Sequence, residues 1–208
     1  MKTEDFDAII FDLGGVILNI DYNKSAEAFQ KLGLTNFDEL YSQANQSHLF
    51  DKLETGMISA EYFINELLAY LPAGTSGNQV VSAWNAMILD LPEENLNLMK
   101  KLKEKKQIFL LSNTNEIHLQ HFNRILRTHF SEDSLHPYFH QTYFSNEIKL
   151  RKPHPETFLF ICEQNNLIPK RTLFIDDSIQ HIEGAKAIGL KTHHLQKGEK
   201  ITALFQGI

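Results

Sequence analysis

Short apolar runs that end in a polar residue constrain this chain more than any other feature of the sequence. The runs cover residues 8–11, 108–111 and 172–175, and the residues that follow them are Asp12, Ser112 and Asp176. Each run is about strand length and apolar except for Thr172, as in parallel strands that helices cover on both faces. The sequence therefore predicts a sheet whose strands end in polar side chains.

Segments with a helical pattern separate these strands. The pattern predicts helices from Glu93 to Lys105, Glu116 to Arg127, Pro155 to Asn165 and Ile179 to Ile188, and weaker strands near 142–144 and 191–194. Alternating strands and helices are typical of an α/β fold with a doubly wound parallel sheet.

The region from Tyr22 to Leu91 has a different pattern. It predicts helices over residues 23–32, 37–45, 60–70 and 80–89. At about 70 residues it is too long for a loop in a compact domain, so an inserted helical bundle is expected. We predict a cap domain at 22–91 and a catalytic core made of 1–21 and 92–208. The insertion starts just after the first strand, at the sheet edge where α/β proteins bind ligands.

Composition excludes several classes of protein. The net charge of −6 over 208 residues argues against a nucleic-acid partner. No apolar stretch approaches the ~20 residues that a membrane span needs. Cys162 is the single cysteine, which excludes disulfides within the chain. A short apolar run after Glu4, Asp5 and Asp7 is not a signal peptide, so a cytoplasmic setting is expected.

Carboxylates at two strand ends indicate a metal site. Asp176 and Asp177 are adjacent and repel each other unless a cation or hydrogen bonds compensate. Together with Asp12 they offer the hard oxygen ligands that Mg²⁺ prefers. The alternative is that both aspartates only cap the helix that follows Ser178.

Two further positions suit phosphate binding. Lys152 precedes Pro153, which disfavours helical geometry at the lysine and fixes it in a loop. An ammonium there could neutralise phosphate oxygens, unless it is a solvated surface lysine. Ser112 opens the stretch Ser112–Asn115 before a helix, where hydroxyl and N–H groups can cradle phosphate or simply cap the helix.

Four short motifs, in order along nearly the whole chain, resemble those of the haloacid dehalogenase superfamily. They are Phe11–Val16, Leu111–Asn113, Arg151–Pro153 and Ile175–Asp177. The helical insertion is similar to the C1-type cap of that family. Several positions look closest to bacterial α-D-glucose-1-phosphate phosphatases, among them Gly14, the stretch 112–115 and residues 182–185.

The resemblance implies a Mg²⁺-dependent phosphatase that works through a phosphoaspartate. Asp12 would attack phosphorus, and water would hydrolyse the aspartyl phosphate. The metal would be held by Asp12, the backbone carbonyl of Gly14, Asp177, and Asp176 either directly or through water. Ser112, the amide of Asn113 and Lys152 would hold the phosphate, with Lys152 also assisting catalysis.

Gly14 departs from the family pattern. Most phosphatases of the family carry a second aspartate there, which protonates the leaving oxygen. Either the substrate has a good leaving group, such as a sugar's anomeric oxygen, or Asp21, Asn19 or a cap residue substitutes, or the protein is catalytically weak.

The leading hypothesis is a phosphatase of a small phosphate ester, most plausibly a sugar phosphate. A phosphometabolite-binding protein without activity and a metal-free dehalogenase are the alternatives. Whether Trp84 and Asn85 contact substrate stays open, as does the oligomeric state, while the turn Thr55–Met57 is a candidate for reading the substrate. His118 and His121 suit surface or capping roles better than metal binding.

Overall fold

Five parallel strands form one sheet in the computed structural model of the protein, which describes residues 5–34 and 48–205. The strands are β1 Ala8–Phe11, β2 Gln107–Ser112, β3 Gln141–Phe144, β4 Thr172–Asp176 and β5 Lys191–His194. Their spatial order is β3-β2-β1-β4-β5. This confirms the predicted doubly wound parallel sheet, including the two strands with the weaker pattern.

Helices lie between the strands and in the insertion. They are α1 Tyr22–Lys31, α2 Leu49–Glu54, α3 Ala60–Leu68, α4 Gly77–Asn85, α5 Glu93–Lys103, α6 Glu116–Phe130, α7 Ser145–Ile148, α8 Pro155–Gln164, α9 Ile179–Ala187 and α10 Ile201–Leu204. The four helices expected between strands are present, with ends within a few residues of the prediction. Residues 136–138 and 169–171 form short 3₁₀ turns.

The central strand β1 is buried on both faces, which explains its uninterrupted apolar sequence. Ile9 and Phe11 pack into the apolar layer on one face, under α5 and α6. Ile10 points the other way and packs with Phe158 and Phe174, under α8 and α9. Successive strand side chains alternate between faces, so an apolar residue is needed at every position.

The helices of the insertion pack around an apolar cluster of their own. Its fully or almost fully buried members are Phe29, Leu53, Phe63, Leu67 and Val80. The predicted helices at 23–32, 60–70 and 80–89 correspond to α1, α3 and α4, whereas the short α2 was not predicted. The helix predicted at 37–45 lies outside the described residues.

Two extended segments connect the insertion to the sheet. The backbone N–H of Asn19 donates to Asp90 O at 3.0 Å, and Leu89 N–H donates back to Asn19 O at 3.0 Å. Asp21 N–H adds a bond to Met87 O at 2.9 Å. The chain thus leaves and re-enters the sheet domain through neighbouring segments. None of the described helices is long and apolar enough to cross a lipid bilayer.

Candidate active site

The sheet register brings the polar strand ends together. Phe11 of β1 lies opposite Leu110 of β2 and Ile175 of β4. The next backbone N–H, that of Asp12, donates to Ile175 O at 2.9 Å, which continues the β1–β4 pairing by one step. Asp12 and Asp176 are therefore neighbours across the carboxyl edge of the sheet. This is the edge where open α/β sheets bind ligands.

Lys152 is completely buried between these two carboxylates. Its Nζ lies 2.6 Å from Asp12 Oδ1 and 2.7 Å from Asp176 Oδ2. The side chain has 0% exposure, so it is not the solvated surface lysine considered as an alternative. An ammonium is tolerated inside a protein only when opposite charges and hydrogen bonds compensate for lost hydration. Here two carboxylates supply both.

The loop of Lys152 is fixed by contacts on either side. The side-chain Nδ2 of Asn113 donates to Lys152 O at 2.9 Å, and Lys152 N–H donates to Asn113 Oδ1 at 2.9 Å. Thr157 Oγ1 donates to the carbonyl of Arg151 at 2.7 Å. Pro155 occupies the first turn of α8, as the sequence predicted. The peptide bond between Lys152 and Pro153 is cis.

Asp176 is held by three donors. Besides Lys152, the backbone N–H of Ser178 donates to its Oδ1 at 2.8 Å. The Nδ1 of His181 lies 3.0 Å from both carboxylate oxygens. The carboxylate therefore contacts the first residues of α9 as well as the lysine. Capping of the helix alone does not account for the contact with Lys152. His181 was missed in the sequence, although its place one turn into the helix after two aspartates was a usable signal.

Asp177 completes a group of three carboxylates. One oxygen each from Asp12, Asp176 and Asp177 lies within 4.8 Å of the others. Gly15 makes room for this group. Its φ is +74°, and a Cβ there would lie 2.1 Å from Asp177 Oδ2. Three hard oxygen donors so close together fit a divalent cation such as Mg²⁺.

The electrostatics of the site leave negative charge to be compensated. Burial raises the pKa of Asp12 to about 7, although the Lys152 ammonium opposes the rise. Burial would also raise the pKa of Asp176, but Lys152 and the His181 hydrogen bond hold it at about 2. The two carboxylates keep the pKa of Lys152 above its ordinary value despite burial. One ammonium among three carboxylates leaves a site that attracts a cation.

Ser112 and its successors line the edge beside Asp12. Ser112 ends β2 and is 4% exposed. Asn115, rather than Ser112, caps the following helix, because its side chain accepts from His118 N–H at 3.1 Å. The backbone N–H of Thr114 donates to Ser145 Oγ at 2.9 Å, and Ser145 Oγ donates to Thr114 O at 3.0 Å. The stretch 112–115 is thereby joined to the start of α7, which leads to the Lys152 loop.

The residues considered as replacements for an acid at Gly14 have structural contacts. Asn19 Nδ2 donates to both carboxylate oxygens of Asp90, at 3.1 and 3.2 Å. The Asp21 side chain accepts from Asn23 N–H and caps α1. A Cβ at Gly14 would lie 3.1 Å from the terminal Cδ1 of Ile20. An apolar side chain thus borders the position where the family usually places its acid.

Trp84 and Asn85 contact the sheet domain through His118 on α6. Asn85 Oδ1 lies 2.8 Å from His118 Nδ1. The Trp84 ring stacks on the His118 ring at 5.2 Å between centroids and on Phe50 of α2 at 5.4 Å. Trp84 thus packs in the apolar cluster of the insertion. His118, for which a surface or capping role was expected, is instead half-buried against Asn85 and Trp84. Burial in this contact lowers its pKa to about 3.

Comparisons with known proteins agree with this geometry. The haloacid dehalogenase-like hydrolase family model matches residues 6–189. A D-ribitol-5-phosphate phosphatase from Bacteroides thetaiotaomicron is 31% identical over 192 residues, which cover 91% of this chain and 92% of that protein.

Solved structures show the same likeness. A haloacid dehalogenase family enzyme from Bacteroides thetaiotaomicron superimposes with a TM-score of 0.89, at 33% identity, over 97% of this chain and 98% of that one. A structure of a family enzyme from the same organism, in complex with magnesium and inorganic phosphate, gives a TM-score of 0.85 at 34% identity over 97% and 100% of the two chains. A family model over most of the chain and a relative of nearly equal length together settle membership: the chain belongs to the haloacid dehalogenase-like hydrolases.

Proposed function

We propose that this protein is a Mg²⁺-dependent phosphatase of small sugar or polyol phosphates. The observation that carries the proposal is Lys152, buried between Asp12 and Asp176 with Asp177 close by. This arrangement combines an ammonium that can neutralise phosphate charge, a carboxylate nucleophile and a set of cation ligands. The relative that acts on D-ribitol 5-phosphate and the structure with bound magnesium and phosphate support the same chemistry.

Asp12 is the proposed nucleophile. Its carboxylate oxygen attacks phosphorus, the bond from phosphorus to the ester oxygen breaks, and an aspartyl phosphate forms. Water then attacks this phosphorus, which releases inorganic phosphate and regenerates the carboxylate. Two easier displacements replace one difficult displacement. Lys152, 2.6 Å from Asp12, holds the carboxylate in position and can neutralise the phosphate oxygens that approach it.

The metal ligands proposed are the carboxylates of Asp12 and Asp177, the backbone carbonyl of Gly14, and Asp176 directly or through water. The three carboxylates, with Asp177 seated directly against Gly15, fit a hard divalent cation. Bound Mg²⁺ supplies charge compensation for the phosphate and for the nucleophile. Ser112, the amide of Asn113 and Lys152 form the proposed phosphate site. We also propose that the insertion, residues 22–91, is a cap domain over a core made of 1–21 and 92–208.

Gly14 restricts the leaving group in this proposal. A general acid contributes about 10²–10⁴-fold in rate, and glycine has no side chain to provide one. When a sugar 1-phosphate is hydrolysed, the sugar departs through its anomeric oxygen. This oxygen needs less protonation than a primary alkoxide. D-ribitol 5-phosphate, the substrate in the name of the relative, is an ester of a primary alcohol. Both substrate types therefore have to be compared directly.

The test is turnover by the purified protein. D-ribitol 5-phosphate, α-D-glucose 1-phosphate, glucose 6-phosphate and p-nitrophenyl phosphate are offered with Mg²⁺ and, separately, with EDTA, and released phosphate is measured. We expect release that requires Mg²⁺ and is lost in Asp12→Asn. Asp133→Asn, at an exposed aspartate in the loop that follows α6, is the matched control and should keep full activity.

Two results would contradict the proposal. If none of the esters is hydrolysed with metal present, the chain is better described as a phosphometabolite-binding protein. If Asp12→Asn keeps full activity, the nucleophile is wrong. A haloalkanoate hydrolysed at equal rates with and without EDTA would instead favour the dehalogenase reading.

A further inference from the structure

An ion-pair group joins α2 of the insertion to the loop that leads into Lys152. The Arg151 guanidinium contacts Asp51 through Nη1, and its Nη2 lies 2.8 Å from Glu54 Oε2. Both acids belong to α2. Arg151 therefore lies at the seam between insertion and sheet domain, directly before the lysine of the active site. We call these three residues the seam clamp.

A second contact at the same seam is a close backbone approach. Lys149 Nζ donates to Gly56 O at 3.1 Å and to Asn146 O at 2.7 Å. A Cβ at Gly56, where φ is +60°, would lie 2.4 Å from Asn146 O. The turn Thr55–Met57 is thus seated directly against α7. This is the turn that the sequence suggested as a reader of the substrate.

The clamp is an unusual choice if its purpose is stability alone. The side chains of Arg151 and Glu54 are 25% and 26% exposed. Arg151 Nε and Glu54 Oε2 are shielded from solvent, and neither has an aligned hydrogen-bond partner among the described residues. Burial raises the pKa of Glu54 against the effect of Arg151. Because partly buried ion pairs lose much of their attraction to desolvation, apolar packing would stabilise the seam at least as well.

The backbone of Arg151 is anchored independently of its side chain. Its carbonyl accepts from Thr157 Oγ1 at 2.7 Å, and the next residue is held by Asn113. The sheet domain therefore presents a fixed guanidinium to α2. The ion pairs of Arg151 with Asp51 and Glu54 favour one position of α2, and hence of the turn at 55–57, relative to the Lys152 loop.

Resting on the phosphatase function proposed above, we propose that Arg151 is a positioning residue for substrate selection. Through Asp51 and Glu54 it holds the turn Thr55–Met57 at a fixed place against α7, next to the loop that carries Lys152. A substrate with a polyol or sugar leaving group then meets both the lysine and the turn in one geometry. A substrate with an activated leaving group, such as p-nitrophenyl phosphate, depends on the lysine and not on the turn.

Other contacts keep the insertion attached when the clamp is removed. The extended linkers pair through Asn19 and Asp90, and Asn85 pairs with His118. The variants of the clamp should therefore remain folded. Trp84, the single tryptophan of the chain, stacks on Phe50 next to Asp51 and on His118. Its fluorescence reports how α2 is seated, whatever the activity.

The experiment compares Arg151→Met, Arg151→Lys, Glu54→Gln and the double variant Arg151→Met with Glu54→Gln. Arg171→Met is the matched control, because it removes an arginine paired with Asp7. This pair lies at the amino ends of β1 and β4, away from the carboxyl ends that form the site. We expect kcat/KM for the preferred sugar or polyol phosphate to fall at least about 10-fold in Arg151→Met. The value for p-nitrophenyl phosphate should change less than about threefold, since its leaving group does not need the turn.

Further results separate positioning from a general structural role. Arg151→Lys should recover part of the selectivity, and the double variant should lose little more than either single one, because the residues act as a unit. Trp84 emission should change in the clamp variants and not in Arg171→Met. Equal losses on both substrates, or unchanged selectivity with unchanged Trp84 emission, would overturn the proposal.

The hydrolysis measurements also distinguish the failure of the phosphatase function from the failure of the positioning role. If the wild-type protein hydrolyses none of the esters, the phosphatase function fails, and selection of a substrate fails with it. If the esters are hydrolysed but selectivity does not move in Arg151→Met, the positioning role fails while the phosphatase function stands.

Discussion

The side-chain amide of Asn113 pairs with both backbone polar groups of Lys152, at 2.9 Å in each direction. These two hydrogen bonds link the end of β2 to the loop before α8 and fix the backbone of Lys152, from which the buried ammonium extends. It connects the proposed phosphate cradle to the lysine that reaches Asp12. A shift of the proposed phosphate cradle should therefore also shift Lys152.

Replacing Asn113 with aspartate should impair catalysis. One amide donor becomes a carboxylate oxygen that faces the Lys152 carbonyl, so one hydrogen bond is replaced by repulsion. Displacement of Nζ by a fraction of an ångström is expected to lower kcat at least about 10-fold. Steady-state kinetics on the preferred ester, compared with Asn97→Asp on the exposed side of α5, measures this effect. Activity equal to that of the control would show that Asn113 does not position the lysine.

Gly15→Ala should weaken metal binding. The added methyl would lie 2.1 Å from Asp177 Oδ2, and φ at this position is +74°. Asp177 must move away from Asp12 and Asp176, so titration calorimetry should find at least about 10-fold weaker Mg²⁺ binding, as for other disturbances around a metal's ligands.

Gly189→Ala separates the clash at Gly15 from its backbone strain. Gly189 has φ +86°, and no atom of the described residues lies within 4 Å of an added Cβ. It should lose about 1–2 kcal/mol of stability from the left-handed conformation and keep its Mg²⁺ affinity. Equal Mg²⁺ affinity in Gly15→Ala and Gly189→Ala would contradict a role for Gly15 in making room for Asp177.

The fold and the positions of Asp12, Ser112 and Asp176 could be predicted because they depend on local pattern. A uniformly apolar run indicates a buried parallel strand, and parallel strands place their last residues at one edge. The side-chain contacts could not be predicted in the same way. Asn113 and Lys152 are 39 residues apart, and Asp51 and Arg151 are 100 apart. Nothing in one sequence states which distant groups meet.

The helix α2 was missed for a related reason. It has six residues, and only Leu49 and Leu53 are buried. A segment so short shows too little periodicity to be distinguished from a loop. Its importance arises from where the fold places Asp51 and Glu54, which is a property of packing between distant segments.

Gly184→Ala should disturb the Lys152 loop from the opposite side. A Cβ at this position of α9 would lie 2.1 Å from the backbone carbonyl of Pro153. Either α9 or the loop must move, so we expect about 1–3 kcal/mol lower stability, together with a lower kcat. Denaturant unfolding and steady-state kinetics measure the two effects.

Gly77→Ala is the control for adding a methyl group to a helix. Among the described residues, its Cβ would meet only Ile64 Cγ2, at 3.2 Å, and this methyl group can move aside. That variant should keep its activity and lose little stability. If Gly184→Ala behaves the same way, the contact between α9 and Pro153 is not a constraint on the site.

His118 should make the stability of the protein depend on pH. Burial, with a smaller effect of His121, lowers its pKa from the ordinary value of 6.5 to about 3. Between these two values the unfolded chain binds a proton at His118 and the folded chain does not, so stability from this residue is lost as pH falls below 6.5. The full slope is about 1.4 kcal/mol per pH unit, reduced by the partial exposure of the ring. His118→Gln removes this titration, so its stability should fall less than that of the wild type between pH 6.5 and 5, by about 1–2 kcal/mol.

Denaturant unfolding at several pH values measures the difference in stability between the wild type and His118→Gln. His129→Gln, at the exposed end of the same helix, should follow the wild type, because it leaves the contact with Asn85 and Trp84 intact. If the wild type and His118→Gln lose stability in parallel, His118 titrates alike in the folded and unfolded chains, and its contacts with Asn85 and Trp84 do not keep the ring neutral.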